Sequence, residues 1–110
     1  MAKYLLIESR DPFEYGDPAQ FADLALDLAG AGNDVTFFLI QNGVLVTRRG
    51  AKADSLRKLG ASGKVSVLAD EFSLRERGIW RDKLASGVTT ASMDQLMDLL
   101  MTDGCKAVWH

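Results

Sequence analysis

The run Val35-Thr-Phe-Phe-Leu-Ile40 constrains this chain more than any other stretch. Half-exposed strands alternate apolar and polar residues, whereas an unbroken apolar and β-branched run suits a strand covered on both faces, as in a parallel sheet. The polar turn Gln41-Asn42-Gly43 follows, and asparagine and glycine both tolerate positive φ. Between two strands, Asn-Gly would make a hairpin, but Val44-Leu-Val-Thr-Arg-Arg-Gly50 soon becomes basic and ends in glycine. The expectation is a central strand whose C-terminal end opens into a loop. Ligands of open parallel sheets sit at that end, which makes Asn42 and Gly43 candidate cleft residues.

The flanking elements fit the same plan. Lys3–Glu8 reads as a first strand and Ser9–Asp17 as a polar loop. Asp17-Pro18 is a helix start, because aspartate caps free backbone N–H groups and proline suits the first helical position. Phe21, Leu24, Ala25 and Leu28 carry the apolar stripe of a helix over 19–31, ended by Gly30 and Gly32. A second helix is expected over Asp54–Gly60, closed by its glycine, and a third strand over Lys64–Ala69. Asp70–Gly78 is acidic at its start and basic at its end, which suits a short helix and its dipole. Ile79–Ser86 fits no single element. Gly87–Ala91 reads as a weakly hydrophobic fourth strand near an edge. Ser92 with Gln95 is a capping box opening a helix over Met93–Thr102, with Met93, Leu96, Met97, Leu99 and Leu100 as its buried stripe. Cys105–Trp109 is the last strand, expected to be buried. Strands alternating with helices imply a single three-layer α/β/α domain with a mostly parallel five-stranded sheet, flavodoxin-like in architecture.

Composition removes several function classes. At 110 residues with 47% hydrophobic and 25% charged side chains, the chain suits one soluble domain. A formal net charge of −2 gives no electrostatic reason for direct nucleic-acid binding or attraction to a membrane surface. No apolar run reaches the ~18 residues of a membrane span. The N-terminal apolar run is cut off by Glu8-Ser-Arg-Asp-Pro12, too soon for a signal peptide, so the expected location is the cytoplasm. One cysteine and one histidine leave no disulfide and no metal site. Neither a Gly-x-Gly-x-x-Gly nor a Gly-x-x-x-x-Gly-Lys-Ser/Thr pattern occurs, so no nucleotide cofactor is expected.

Three stretches resemble the DsrE/DsrF/DsrH superfamily of small sulfur-relay proteins, which includes the Tus subunits of tRNA thiolation. Phe37-Phe-Leu-Ile-Gln-Asn-Gly-Val44 is similar to its apolar strand ending in Asp-Gly-Val. Val65-Ser-Val-Leu-Ala-Asp-Glu-Phe-Ser-Leu-Arg-Glu-Arg-Gly-Ile79 is similar to its strand and helix ending in Arg-Gly-Ile or Arg-Gly-Leu. Ala107-Val-Trp109 is similar to the terminal tryptophan of DsrH- and TusB-like members. The resemblance implies a persulfide-accepting cysteine just after the third strand in DsrE- and TusD-like subunits. Here that position falls at or near Asp70, and a carboxylate cannot hold a sulfane sulfur. An acidic residue there points toward the DsrH- and TusB-like side, so the resemblance implies an accessory, non-catalytic subunit of a sulfurtransferase system. It also implies assembly as a homo- or hetero-oligomer with related subunits, one of them a cysteine-bearing sulfur carrier.

The candidate residues each have two readings. Cys105 either passes a persulfide or opens a buried strand as a small hydrophobe. Asp70 and Glu71 either serve as a general base or simply begin a helix. Asp11, Tyr15 and Asp17 either complete a cleft beside Asn42 or shape a loop. Arg48 and Arg49 are solvated surface or an anion- or tRNA-facing patch, and Arg77-Gly78 is read as a helix end. His110 is given no catalytic weight, as a terminal residue open to disorder or a tag origin. Trp80, Trp109 and the methionines of the last helix suit a subunit interface. The alternative function is a stand-alone small-ligand-binding module or enzyme that shares the fold, with an anionic ligand at Asn42-Gly43 and Asp70.

Overall fold

Five parallel strands in the order β4-β3-β2-β1-β5 form the sheet of the computed structural model. It describes residues 2–11, 13, 17–48 and 54–110. The strands are β1 (Lys3–Glu8), β2 (Asp34–Leu39), β3 (Val65–Asp70), β4 (Val88–Ala91) and β5 (Cys105–Trp109); the helices are α1 (Asp17–Gly30), α2 (Asp54–Ser62), α3 (Glu71–Glu76) and α4 (Met93–Leu100). Short 3-10 segments occupy Gln41–Thr47 and Arg81–Lys83.

The strand order explains the layers. The steps from β1 to β2 to β3 run in one direction, so right-handed crossovers put α1 and α2 on one face. The step from β4 back to β5 crosses the sheet the other way and puts α4 on the opposite face. The packing divides accordingly. Leu6, Phe37, Leu39 and Val67 meet Phe21, Ala25 and Leu59 beneath α1 and α2. Leu5, Ile7, Phe38 and Ile40 meet Leu96 beneath α4. Side chains of β2 therefore enter both cores, as its unbroken apolar run requires.

The two cores are unequal. Two helices cover the first, while α4 spans only 8 residues and leaves part of the second open. Of the stripe expected to be buried, Leu96 is buried and Leu99 half-buried, but Met93, Met97 and Leu100 are 47%, 51% and 38% exposed. Leu24, assigned to the α1 stripe, is exposed as well; the small Ala22, Ala25 and Ala29 let α1 lie close on the sheet instead.

Further expectations are corrected. Strand β5 is an edge strand, and Lys106 through Trp109 are exposed. Gly60 does not end α2, which continues to Ser62; a Cβ at Gly60 would stand 3.2 Å from the Ser86 carbonyl oxygen, so this glycine admits a close approach. Gly63, with φ +67°, follows the helix end. After β2 the chain forms a 3-10 segment rather than an open loop, and its positive φ of 51° falls on Gln41, not on Asn42 or Gly43.

Candidate functional site

The carboxyl ends of the strands carry the polar side chains of interest, built by three short segments. At the end of β3, Asp70 is 1% exposed and caps α3. Its Oδ2 accepts from the Ser73 backbone N–H at 3.0 Å and from the Ser73 hydroxyl at 2.7 Å. That hydroxyl in turn accepts from the Gln41 backbone N–H at 2.9 Å, which ties the tip of β2 to the start of α3. Asp70 Oδ1 is buried and has no hydrogen-bond partner among the described residues.

Asn42 is exposed and serves α3 from the other side. Its Oδ1 accepts from Arg77 Nε at 3.2 Å and Nη2 at 3.0 Å, while Arg77 Nη1 donates to the Ser73 carbonyl at 3.1 Å. Arg77 thus clamps the turn after β2 to α3, a role that its reading as a plain helix end missed. Gly43 is required for space: a Cβ there would lie 2.3 Å from the Glu8 carbonyl oxygen, the same oxygen that accepts from the Ile40 N–H.

The carboxyl ends of β1 and β5, neighbours in the sheet, form a second polar centre. It holds a pair that the sequence reading missed. Glu8, 2% exposed, faces His110, whose Nδ1 stands 2.8 Å from Oε2 and 3.0 Å from Oε1. His110 is also held by its backbone, its N–H donating to the Ile7 carbonyl and its own carbonyl accepting from the Ser9 N–H and hydroxyl. Its ring stacks on Phe21 with centroids 5.1 Å apart. The expectation of a disordered or incidental His110 is therefore corrected. Burial raises the Glu8 carboxyl above its ordinary value, and the hydrogen bond and charge of His110, with the Arg10 and Ser9 N–H groups, pull it partly back. One signal was legible: Glu8 follows the apolar run Leu5-Leu6-Ile7 within its strand, where a buried carboxylate needs a partner.

On the α4 face a groove of about 660 Å³ runs over the ends of β1, β2 and β3. Asp70 and Ser73 line it beside Ile7, Ile40, Leu96 and Trp109. Glu71 is exposed and lines a different hollow with Trp80 and Thr90. Asp11 is buried in a local turn, its Oδ1 accepting from the Phe13 N–H at 2.9 Å. Tyr15 and Arg49 lie outside the described residues, and so does the side chain of Asp17. Arg48 is exposed and shares a hollow with Arg77 and Lys83.

Cys105 is removed from all of this. It pairs in register with Lys3, at the amino end of β1, four residues from the Ile7–Trp109 pair. At 3.3 Å per residue, roughly 13 Å of strand separates it from the carboxyl edge. Half-buried against the α4-side core, it packs as a small hydrophobe. Lys106 points to the opposite face, with Nζ 5.5 Å from the centre of the Tyr4 ring.

Comparison with known proteins follows this geometry. Among solved structures, the ychN protein of E. coli superposes with a TM-score of 0.84 at 23% identity, over 98% of this chain and 100% of that one. MTH1491, a protein of unknown function from Methanobacterium thermoautotrophicum, gives 0.79 at 19% identity over 100% of both chains. At these identities the likeness is one of fold. A search of curated proteins finds no match. The DsrE/DsrF-like family matches over residues 2–105, which take in β1 to β4 and α1 to α4, and the chain belongs to that family.

Proposed function

We propose that this chain is an accessory, non-nucleophilic DsrE/DsrH-like subunit of an intracellular sulfur-relay system, of the kind that serves tRNA thiolation or sulfur oxidation. The observation that carries the reading is Asp70. A persulfide carrier needs a thiolate at the end of its site strand, and here a buried carboxylate is committed to capping α3. Cys105 stands at the other edge of the sheet, half-buried, and offers no substitute.

The implied mechanism is positioning. As a single-domain cytoplasmic protein the chain would present the α4 face, with Met93, Met97 and Trp109 exposed, to related subunits. One of those partners would supply the cysteine. Apolar side chains exposed together on one face support a contact surface. The clamp of Arg77 on Asn42 and the Ser73 bridge would hold the cleft in shape for that partner. No helix among the described residues is long and apolar enough to cross a membrane.

The test is sulfur loading. Incubated with a cysteine desulfurase and labelled cysteine, the purified chain is expected to acquire no protein-bound sulfane sulfur. Rapid labelling that disappears in a Cys105→Ser variant would make it a carrier instead.

A further inference from the structure

Three cations from separate parts of the chain line one hollow, and the fold leaves their charge largely unopposed. The hollow measures about 300 Å³ and is lined by Arg48, Arg77, Gly78, Ile79 and Lys83 among the described residues. Backbone pairing assembles it. The Thr47 carbonyl accepts from the Ala85 N–H and Arg48 bridges Leu84, which sets Arg48 beside the 3-10 turn that carries Lys83. Arg77 arrives as the C-cap of α3, and Gly78, with φ +67°, turns the chain with open space where a Cβ would stand. Buried Ile79 supplies an apolar wall.

Neutral acceptors, rather than carboxylates, hold these side chains. Arg77 donates twice to Asn42 Oδ1 and once to the Ser73 carbonyl. Its ion-pair partner Glu76 stands 3.9 Å away with a side chain 56% exposed, and such a pair offsets little charge. Glu76 lines the groove on the α4 face and not this hollow. Arg48 Nε donates to the Leu45 carbonyl at 3.3 Å. Arg48 and Lys83, both exposed, make no ion pair among the described residues. Like charges gathered in a concavity raise its potential and attract an anion, even on a chain of net charge −2.

We propose that this hollow binds the terminal phosphate of a small phosphate monoester, held by Arg48, Arg77 and Lys83. Above a second pKa of about 6 such a group carries close to two negative charges on its acceptor oxygens. Three cations match that charge better than the single charge of a phosphodiester, and the planar fork of arginine suits phosphate oxygens. The volume of about 300 Å³ admits a phosphate with a small organic body. This reading does not depend on a role in sulfur relay, and the outcome of sulfur loading leaves it untouched.

Calorimetry at low ionic strength tests the proposal with phenyl phosphate, dimethyl phosphate and a single-stranded RNA oligonucleotide lacking terminal phosphates. Saturable binding of phenyl phosphate is expected, with dimethyl phosphate about tenfold weaker or worse. Arg48→Ala and Lys83→Ala, at exposed positions outside the clamp of Arg77 on Asn42, should each weaken phenyl phosphate by about tenfold. Circular dichroism spectra should be unchanged, and the double variant should lose binding. Lys58→Ala, exposed on α2 and outside the hollow, should leave the affinity as it was. No binding of phenyl phosphate, equal affinity for the diester, or retention by the double variant would overturn the proposal. So would an equal loss in Lys58→Ala, which would make the attraction one of overall charge. Tighter binding of the oligonucleotide than of phenyl phosphate would overturn it too, since a nucleic-acid backbone would then be the occupant.

Discussion

His110 and Glu8 join the carboxyl ends of β5 and β1 through a carboxylate that meets Nδ1 with both oxygens, at 2.8 and 3.0 Å. The pair is a side-chain tie between an exposed edge strand and its neighbour in the sheet. Burial raises the Glu8 carboxyl above its ordinary 4.5, and His110 is the main opposing influence. An acid whose folded pKa exceeds its unfolded value binds a proton more readily when folded. Its contribution to stability is therefore complete below about 4.5 and is lost as pH rises through the folded value. Relative to Glu8→Gln, wild type should lose unfolding free energy as pH is raised from 4.5 toward neutrality, measured by urea titration. In a His110→Gln background Glu8 should titrate higher still. A gap between wild type and Glu8→Gln that is constant with pH would contradict this.

Gly43 lies on the Glu8 carbonyl with no room for a methyl group. Gly43→Ala should destabilise by about 1–3 kcal/mol, because the clash is with backbone that the Ile40 hydrogen bond holds in place. Gly30 ends α1 with open space around it, and Gly30→Ala should be neutral or stabilising by up to about 1 kcal/mol. Chemical denaturation of the two variants distinguishes space from flexibility as the reason for the glycine.

Ser73 is buried and bridges the tips of β2 and β3: its hydroxyl accepts from the Gln41 backbone N–H and donates to Asp70. Ser73→Ala should cost about 1–3 kcal/mol by leaving Asp70 with a single donor. Faster hydrogen exchange at the Gln41 amide, with amides of α1 unaffected, would locate the loss at the tips of β2 and β3.

Much of this architecture was written in local patterns. The unbroken run of β2 announced burial on both faces. The capping box of α4 is present as read, Ser92 Oγ accepting from the Gln95 N–H at 3.2 Å and Gln95 Oε1 from the Ser92 N–H at 2.8 Å. What escaped depends on distance along the chain. The Glu8–His110 pair spans 102 positions, and a histidine at that place carries no local signature. Strand β5 was misjudged as buried because its composition is apolar, while its edge position follows from the crossover of α4. Gly43 and Gly60 looked like turn and cap signals, yet both admit backbone from a segment remote in sequence. Asp70 was legible as a helix start, but its unpartnered oxygen needs coordinates.

Assembly is open to direct measurement. Light scattering should give a mass above the 12.0 kDa of one chain, either alone or after mixing with a cysteine-bearing DsrE-like subunit. Met101, 78% exposed beside α4, lies outside the groove lining. Met101→Asp should weaken the association about tenfold or more, the cost of burying a charge in an apolar contact. A mass of 12.0 kDa under both conditions would remove the subunit reading.

We propose that the site at the end of β3 is a sulfur-relay cleft without its nucleophile. Intact-protein mass spectrometry of wild type and Asp70→Cys, each treated with a cysteine desulfurase and cysteine, tests it most directly. Wild type is expected to keep its mass and Asp70→Cys to gain one sulfur atom, removable by reductant and mapped to position 70. Sulfur gained by wild type at Cys105, or a folded Asp70→Cys that gains none, would contradict it.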